Sequence, residues 1–159
     1  THAARDDTSR VLRATAAGFG AAAVLFCVLT HVTDPGMPRG DPSDPAPGDP
    51  LDEALRTREQ RLPDGTSWKQ KWCRECGLWR PHRCGHCHQC GRCVLRLDHH
   101  CAWMGTCVGE RNARFFAAFL LCAGVGILAL VALGLHRLAE LGCLGSAGGC
   151  RGWEPLLIV

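Results

Sequence analysis

Between Cys73 and Cys107 the chain carries eight of its twelve cysteines and five of its eight histidines. Thiolate and imidazole both bind zinc, and both also do nucleophilic chemistry. Cys73/Cys76 and Cys87/Cys90 are CxxC pairs, the spacing of zinc knuckles, and each pair needs two more ligands to close a tetrahedral site. Two sites use eight ligands, but thirteen candidates are present: Cys73, Cys76, Cys84, Cys87, Cys90, Cys93, Cys101 and Cys107, with His82, His86, His88, His99 and His100. Five are therefore surplus, and reactive groups can lie among them. Spacing alone leaves the partition open, because Cys84, Cys87, Cys90 and Cys93 recur at every third residue. The stretch LRLDHHCAWMGTC (95–107) concentrates the question, with Asp98, His99, His100 and Cys101 contiguous and Cys107 six positions on.

Twelve cysteines in a secreted chain would suggest disulfides. Here the CxxC spacing and the interspersed histidines point to metal, and no signal peptide is expected. A CxxC redox protein would leave the histidine spacing unexplained. The region has little apolar sequence, so its folding energy must come substantially from metal, on the order of 10 kcal/mol or more per site.

The elements around this region are uneven in composition, so 159 residues read better as separate pieces than as one core. Residues 1–13 are polar. Residues 14–32 form an uncharged apolar run of 19 residues, and 115–135 a second of 21. Both are close to the roughly 20 residues that cross a bilayer. The second holds twelve Leu, Ile, Phe or Val residues and the first seven, so the Ala-rich first span leans more on neighbouring helices, which its small residues suit. Seven of nine prolines fall between Pro35 and Pro63, which makes 33–67 a Pro/Gly/Asp-rich linker. Within it, LDEALRTREQRL (51–62) carries the residue types of a short helix. The Cys/His domain covers 68–114, a Gly- and Cys-containing loop 136–153, and EPLLIV (154–159) begins another apolar run.

Thirteen of eighteen Lys/Arg residues fall between Arg39 and Arg114. No aromatic-interleaved basic stripe accompanies them, so no nucleic-acid partner is expected. Positive charge between two spans puts that segment on the cytosolic side, with 136–153 luminal. Cys27 and Cys122 read as apolar packing residues, His82 and His88 as surface residues, and Cys143 and Cys150 as a potential luminal pair.

The run Cys73-x2-Cys76-x3-Arg80-Pro81-x-Arg83-x2-His86-Cys87-x2-Cys90-x2-Cys93-x4-Asp98-His99-His100-Cys101-x-Trp103-x3-Cys107-Val108-Gly109-x2-Asn112-x3-Phe116 resembles the cysteine-rich domain of the DHHC protein S-acyltransferases, or palmitoyltransferases. Asp34-Pro35-Gly36 is similar to that family's DPG motif. The resemblance implies a mainly α, multi-pass membrane protein of the Golgi or endoplasmic reticulum. Its transmembrane helices would flank a cytosolic zinc-binding DHHC domain of short β-hairpins and loops. It also implies a partial chain, with 14–32 as second helix, 115–135 as third and 154–159 as the start of a truncated fourth.

By the same resemblance two structural zinc ions are held by Cys73, Cys76, His86 and Cys93, and by Cys87, Cys90, His100 and Cys107. Asp98, His99 and Cys101 are then free of metal and form the catalytic trio. A thiol is a weak nucleophile until deprotonated; a neighbouring imidazole takes its proton and a carboxylate orients the imidazole. In an extended strand His99 and Cys101 share one face and His100 takes the other. The implied function is protein S-palmitoyltransferase. The acyl group passes from palmitoyl-CoA, through a thioester on Cys101, to cysteines of substrate proteins at the lipid bilayer. Trp103, Phe116 and Phe119 would line the acyl chain, and Arg80 and Arg83 would meet CoA phosphates. Ala102 stands where the family has proline, Thr106 where it has asparagine, and Cys84 is an extra thiol. The competing reading is an inactive, membrane-tethered zinc-binding interaction module.

Overall fold

The structure is a computed structural model describing residues 2–48 and 56–141. Cys143, Cys150 and the run 154–159 lie outside the described residues. The elements are α1 (His2–Val32), β1 (Thr57–Arg61), β2 (Ser67–Cys73), β3 (Leu78–Trp79), β4 (Cys84–Cys87), β5 (Arg92–Leu95), β6 (His99–Cys101), β7 (Thr106–Val108) and α2 (Ala113–Glu140). The chain divides into two units. One contains residues up to Leu25 and from Ala118 onward; the other runs from Phe26 to Ala117.

The described residues of the first unit are helical. Segments Arg5–Val32 and Ala113–Glu140 are each long and apolar enough to cross a membrane. Their apolar side chains are largely unburied within the chain: Val24, Leu25, Leu121, Ile127, Leu128 and Leu130 are all more than half exposed. The buried positions of α2 are Cys122, Gly126 and Ala129, spaced as one helix face. A Cβ on Gly126 would come within 3.6 Å of the Gly20 backbone nitrogen, so small residues let α1 and α2 approach there.

Both helices run past the apolar segments seen in the sequence. Helix α1 takes in most of the polar N-terminal segment, whose Ala, Arg and Leu residues are good helix formers. Helix α2 continues to Glu140, with Arg137 and Glu140 paired at 2.8 Å on its last turn.

The second unit is a set of small antiparallel pairs: a three-stranded sheet in the order β1-β2-β3 and two hairpins, β4-β5 and β6-β7. Each CxxC pair is followed by a glycine in the left-handed region, Gly77 (φ 60°) and Gly91 (φ 63°). That geometry turns the chain sharply after the two sulfurs at no steric cost. The buried clusters are Cys73, Leu78 and Cys93 in one place and Cys87, Val94 and Cys107 in the other. Four of these six residues are cysteines nominated as ligands, so hydrocarbon contributes little to either core.

Two expectations for the linker do not hold. Of the expected short helix at 51–62, residues 51–55 lie outside the described residues, and Thr57–Arg61 is instead strand β1, in register with β2 from Thr57↔Lys71 to Arg61↔Ser67. Local Arg, Glu and Gln propensities are overridden by pairing with a strand carrying Trp68 and Trp72. Part of the Pro/Gly/Asp-rich stretch is also tied down. Arg58 donates to both Asp44 oxygens and to Gln70, its guanidinium lies 4.4 Å from the Trp79 ring centroid, and Trp79 Nε1 donates to the Pro45 carbonyl.

Candidate active site and metal centres

The hairpins bring the eight nominated ligands into two groups, Cys73/Cys76/His86/Cys93 and Cys87/Cys90/His100/Cys107, with all ligand atoms of each group within 4.8 Å of one another. The strand register does this. His86 pairs with Cys93 across β4-β5, and His100 with Cys107 across β6-β7. Each knuckle is thereby closed by a hairpin further along the chain, and the two sites interleave.

In the first group His86 Nδ1 lies 3.4, 3.4 and 3.8 Å from the sulfurs of Cys73, Cys76 and Cys93. In the second, His100 Nδ1 lies 3.2, 3.7 and 3.8 Å from Cys90, Cys87 and Cys107. A zinc tetrahedron with Zn–S near 2.3 Å and Zn–N near 2.0 Å has edges of about 3.5–3.8 Å. The residues present therefore fit zinc in donor type, number and spacing.

The electrostatics agree. Burial pushes the Cys107 thiol up to about 12, with Cys87 and Cys90 adding to the shift. Burial also raises Cys93 well above the ordinary thiol range, reinforced by Cys73 and Cys76. Burial works the same way on Cys73, but hydrogen bonds from the Cys76 amide, Cys93 and Arg80 outweigh it and leave that thiol lowered. Crowded thiols compete to ionise, and a divalent cation accepting all the thiolates removes the competition.

The remaining trio sits on the same hairpin. Strand β6 runs His99–His100–Cys101, so His99 and Cys101 share one face and His100 takes the other. His99 Nδ1 is 3.2 Å from Asp98 Oδ2. That pairing favours the tautomer with hydrogen on Nδ1, leaving Nε2 as the basic nitrogen. The His99 ring also meets Phe116 edge-on at 5.3 Å between centroids. Cys101 is buried, whereas Trp103, two residues on, is 97% exposed. Phe119, three residues beyond Phe116 on α2, is half-buried.

Arg83 is exposed, with φ 60°. Arg80 is half-buried and acts on the Cys73 sulfur, so it belongs to the surroundings of the first metal group. Neither arginine lines the cleft of about 430 Å³ beside the DPG turn, which is bounded by Asp34, Met37, Pro38, Arg39, Leu95 and Arg111. Cys84 packs against the Cys73–Leu78–Cys93 cluster but joins neither ligand group. His82 and His88 are exposed as expected.

Four further residues support the site; Asp34 and Asn112 stood in the sequence motifs without an assigned role, and His31 and Glu75 were not singled out. Asn112, fully buried, accepts from the Gly109 amide and donates to the carbonyls of Cys107 and Thr30. His31 Nδ1 is 2.7 Å from the Met104 carbonyl, in the turn after Cys101. In the DPG turn Asp34 accepts from the amides of Gly36 and Met37; the Gly36 bond is the main cause holding its carboxyl below the usual range. The Gly36 carbonyl accepts from Leu95 and the Pro35 carbonyl from Arg111. Glu75 lies against His86 Nε2. The position of Asn112, three residues after Gly109 at the start of a span, was the available signal for it.

A DHHC palmitoyltransferase family model matches residues 66–142, from the start of β2 through α2. The chain belongs to the DHHC palmitoyltransferase family. It is 40% identical over 104 residues to palmitoyltransferase ZDHHC5-B of Danio rerio, covering 65% of this chain and 15% of the relative. It is 40% identical over 114 residues to palmitoyltransferase ZDHHC8 of Mus musculus, covering 69% and 14%. With the probable protein S-acyltransferase 5 of Arabidopsis thaliana the identity is 38% over 113 residues, covering 63% and 23%. The chain thus spans less than a quarter of the length of these DHHC relatives.

Proposed function

We propose that this chain carries the catalytic centre of a membrane protein S-palmitoyltransferase. The observation that carries the reading is the split of β6: the Asp98–His99 pair and Cys101 on one face, His100 with its sulfur cluster on the other. His99 Nε2 takes the thiol proton of Cys101. The thiolate attacks the carbonyl carbon of palmitoyl-CoA, the bond from that carbon to the CoA sulfur breaks, and the CoA thiolate leaves with the proton returned by His99. A substrate protein's cysteine, deprotonated in turn by His99, then attacks the Cys101 thioester and regenerates the free thiol. Asp98 holds the imidazole in its tautomer and stabilises the imidazolium.

Two structural zinc ions, on Cys73/Cys76/His86/Cys93 and Cys87/Cys90/His100/Cys107, fix the backbone that carries the trio. Trp103, Phe116 and Phe119 serve the acyl chain. Their apolar character and the edge contact of Phe116 with His99 support this. Arg80 and Arg83 serve CoA phosphates, a role more open to exposed Arg83 than to Arg80. The Cys/His domain faces the cytosol of a Golgi or endoplasmic reticulum membrane, a reading supported by the concentration of Lys and Arg between the two spans.

The test offers an alkynyl palmitoyl-CoA to the purified full chain. Hydroxylamine-labile label that disappears in Cys101→Ala is expected. Label that persists unchanged in that variant would overturn the assignment of Cys101 and favour a membrane-tethered zinc-binding module without catalysis.

A further inference from the structure

His86 and His100 occupy equivalent places in the two clusters, but their outer nitrogens differ. Each turns Nδ1 toward three sulfurs. The His86 side chain is only 2% exposed, and its Nε2 is buried without an aligned hydrogen bond. A Glu75 carboxylate oxygen lies directly against that nitrogen. Glu75 is the residue before the ligand Cys76, and its side chain is 58% exposed, so a small rotation brings an oxygen into line. His88 flanks the pair, with Nδ1 3.9 Å from the other Glu75 oxygen and its ring 5.0 Å from that of His86. Among the described residues His100 has no carboxylate at ion-pair distance.

We infer that Glu75 is a positioning residue for the first metal site, accepting a hydrogen bond from His86 Nε2–H while Nδ1 faces the metal. A histidine bound through Nδ1 must carry its hydrogen on Nε2, and burying that N–H without an acceptor is costly. A carboxylate acceptor fixes the tautomer and ring plane and makes the ligand nitrogen a better donor; loss of such partners commonly costs about 10–100-fold in metal affinity. The alternative geometry has Glu75, His86 and His88 as ligands of a third ion. It requires His86 to lose its Nε2 hydrogen, whereas a hydrogen bond to Glu75 does not.

The inference rests on the first site holding zinc. The experiment measures metal content and cysteine protection on the zinc-loaded full chain in detergent. A chelator strips the metal while N-ethylmaleimide labels each cysteine as it is freed, read by peptide mass spectrometry. In Glu75→Ala, labelling of Cys73, Cys76 and Cys93 accelerates about tenfold or more. Cys87, Cys90 and Cys107 in the same molecule keep their rate and serve as the internal reference. Glu75→Gln, whose amide oxygen still accepts a hydrogen bond, falls between Ala and the parent. Unchanged labelling in Glu75→Ala, or Gln indistinguishable from Ala, overturns the inference. So does a parent holding three metal ions of which Glu75→Ala loses one, since Glu75 would then be a ligand. A parent holding fewer than two zinc ions instead refutes the two-zinc reading itself.

Discussion

Asn112 donates a side-chain hydrogen bond to the Thr30 carbonyl at 3.1 Å, joining residues 82 positions apart, one immediately before α2 and the other in the last turn of α1. The same amide group donates to the Cys107 carbonyl at 2.8 Å, and its oxygen accepts from the Gly109 amide at 2.8 Å. One fully buried side chain thus holds the end of a candidate span to the strand that carries the candidate metal ligand Cys107 and pairs with the Cys101 strand.

Replacing Asn112 by Ala leaves the Gly109 N–H and two carbonyls without these partners and costs about 2–4 kcal/mol of stability. Asn112→Asp keeps an acceptor for Gly109 but loses both donors and buries a charge, so it is expected to be worse than Ala. Thermal unfolding of the detergent-solubilised chain ranks the variants. Asp performing as well as the parent would mean that the two donated bonds contribute nothing.

Gly109 makes a second prediction, from space and not hydrogen bonding. A Cβ there would sit 2.5 Å from the Pro35 carbonyl oxygen, 2.6 Å from Val94 Cγ1 and 3.1 Å from the Leu95 carbonyl oxygen. Two of those neighbours are backbone atoms of the DPG turn and of β5, which cannot yield cheaply. Gly109→Ala is expected to cost about 1–3 kcal/mol. Gly124→Ala, whose Cβ meets nothing within 4 Å, is the matched control. Equal unfolding temperatures for the two variants would contradict the tight approach of the DPG turn to Gly109.

Both apolar helices were legible because uncharged runs of 19 and 21 residues leave few other structures open. The Cys/His cluster was legible as metal-binding from its CxxC pairs, but its pairing was not. Spacing records distance along the chain, whereas the partition depends on which hairpin lies beside which knuckle; the registers His86↔Cys93 and His100↔Cys107 supply that information. The Thr57–Arg61 strand was hidden because its own residues favour a helix and only the partner strand makes it extended. His31 and Glu75 act through contacts 73 and 11 positions distant, which no local pattern announces, whereas Asn112 stood in the motif run without its partner Thr30, 82 positions away, being legible.

Adjacent histidines with opposite jobs give a sharp contrast. His99→Ala should retain two zinc ions per chain and lose acylation of Cys101. His100→Ala should lose one zinc ion and, with it, the fold around Cys87, Cys90 and Cys107. Metal analysis beside palmitate labelling distinguishes the two. A zinc lost from His99→Ala would show that the strand alternation does not assign the roles.

Asp98→Asn tests the carboxylate alone. The substituted amide keeps the size of the side chain but not its charge, and its NH2 can turn toward His99 and favour the wrong tautomer. Acylation of Cys101 should slow about 10²–10⁴-fold, with zinc content unchanged because Asp98 belongs to neither ligand group. The pre-steady-state rate of autoacylation is the measurement, and an unchanged rate would remove Asp98 from the mechanism.

Metal retention should depend on pH in a fixed direction. Burial, then Cys87 and Cys90, raise Cys107 to about 12, and burial with Cys73 and Cys76 raises Cys93 further. These thiols hold their protons at neutral pH when no cation is bound, whereas the bound form is thiolate. Zinc binding must therefore expel protons, and affinity rises with pH. Acidification reverses it, each displaced proton weakening binding about tenfold per pH unit. Because both buried clusters are built largely of ligand sulfurs, the domain should lose folding stability together with metal. Competition with a fluorescent chelator at pH 8, 7 and 6, alongside unfolding temperature at each pH, measures both. Zinc affinity that stays level across that range would mean that fewer thiolates bind the metal than the geometry assigns.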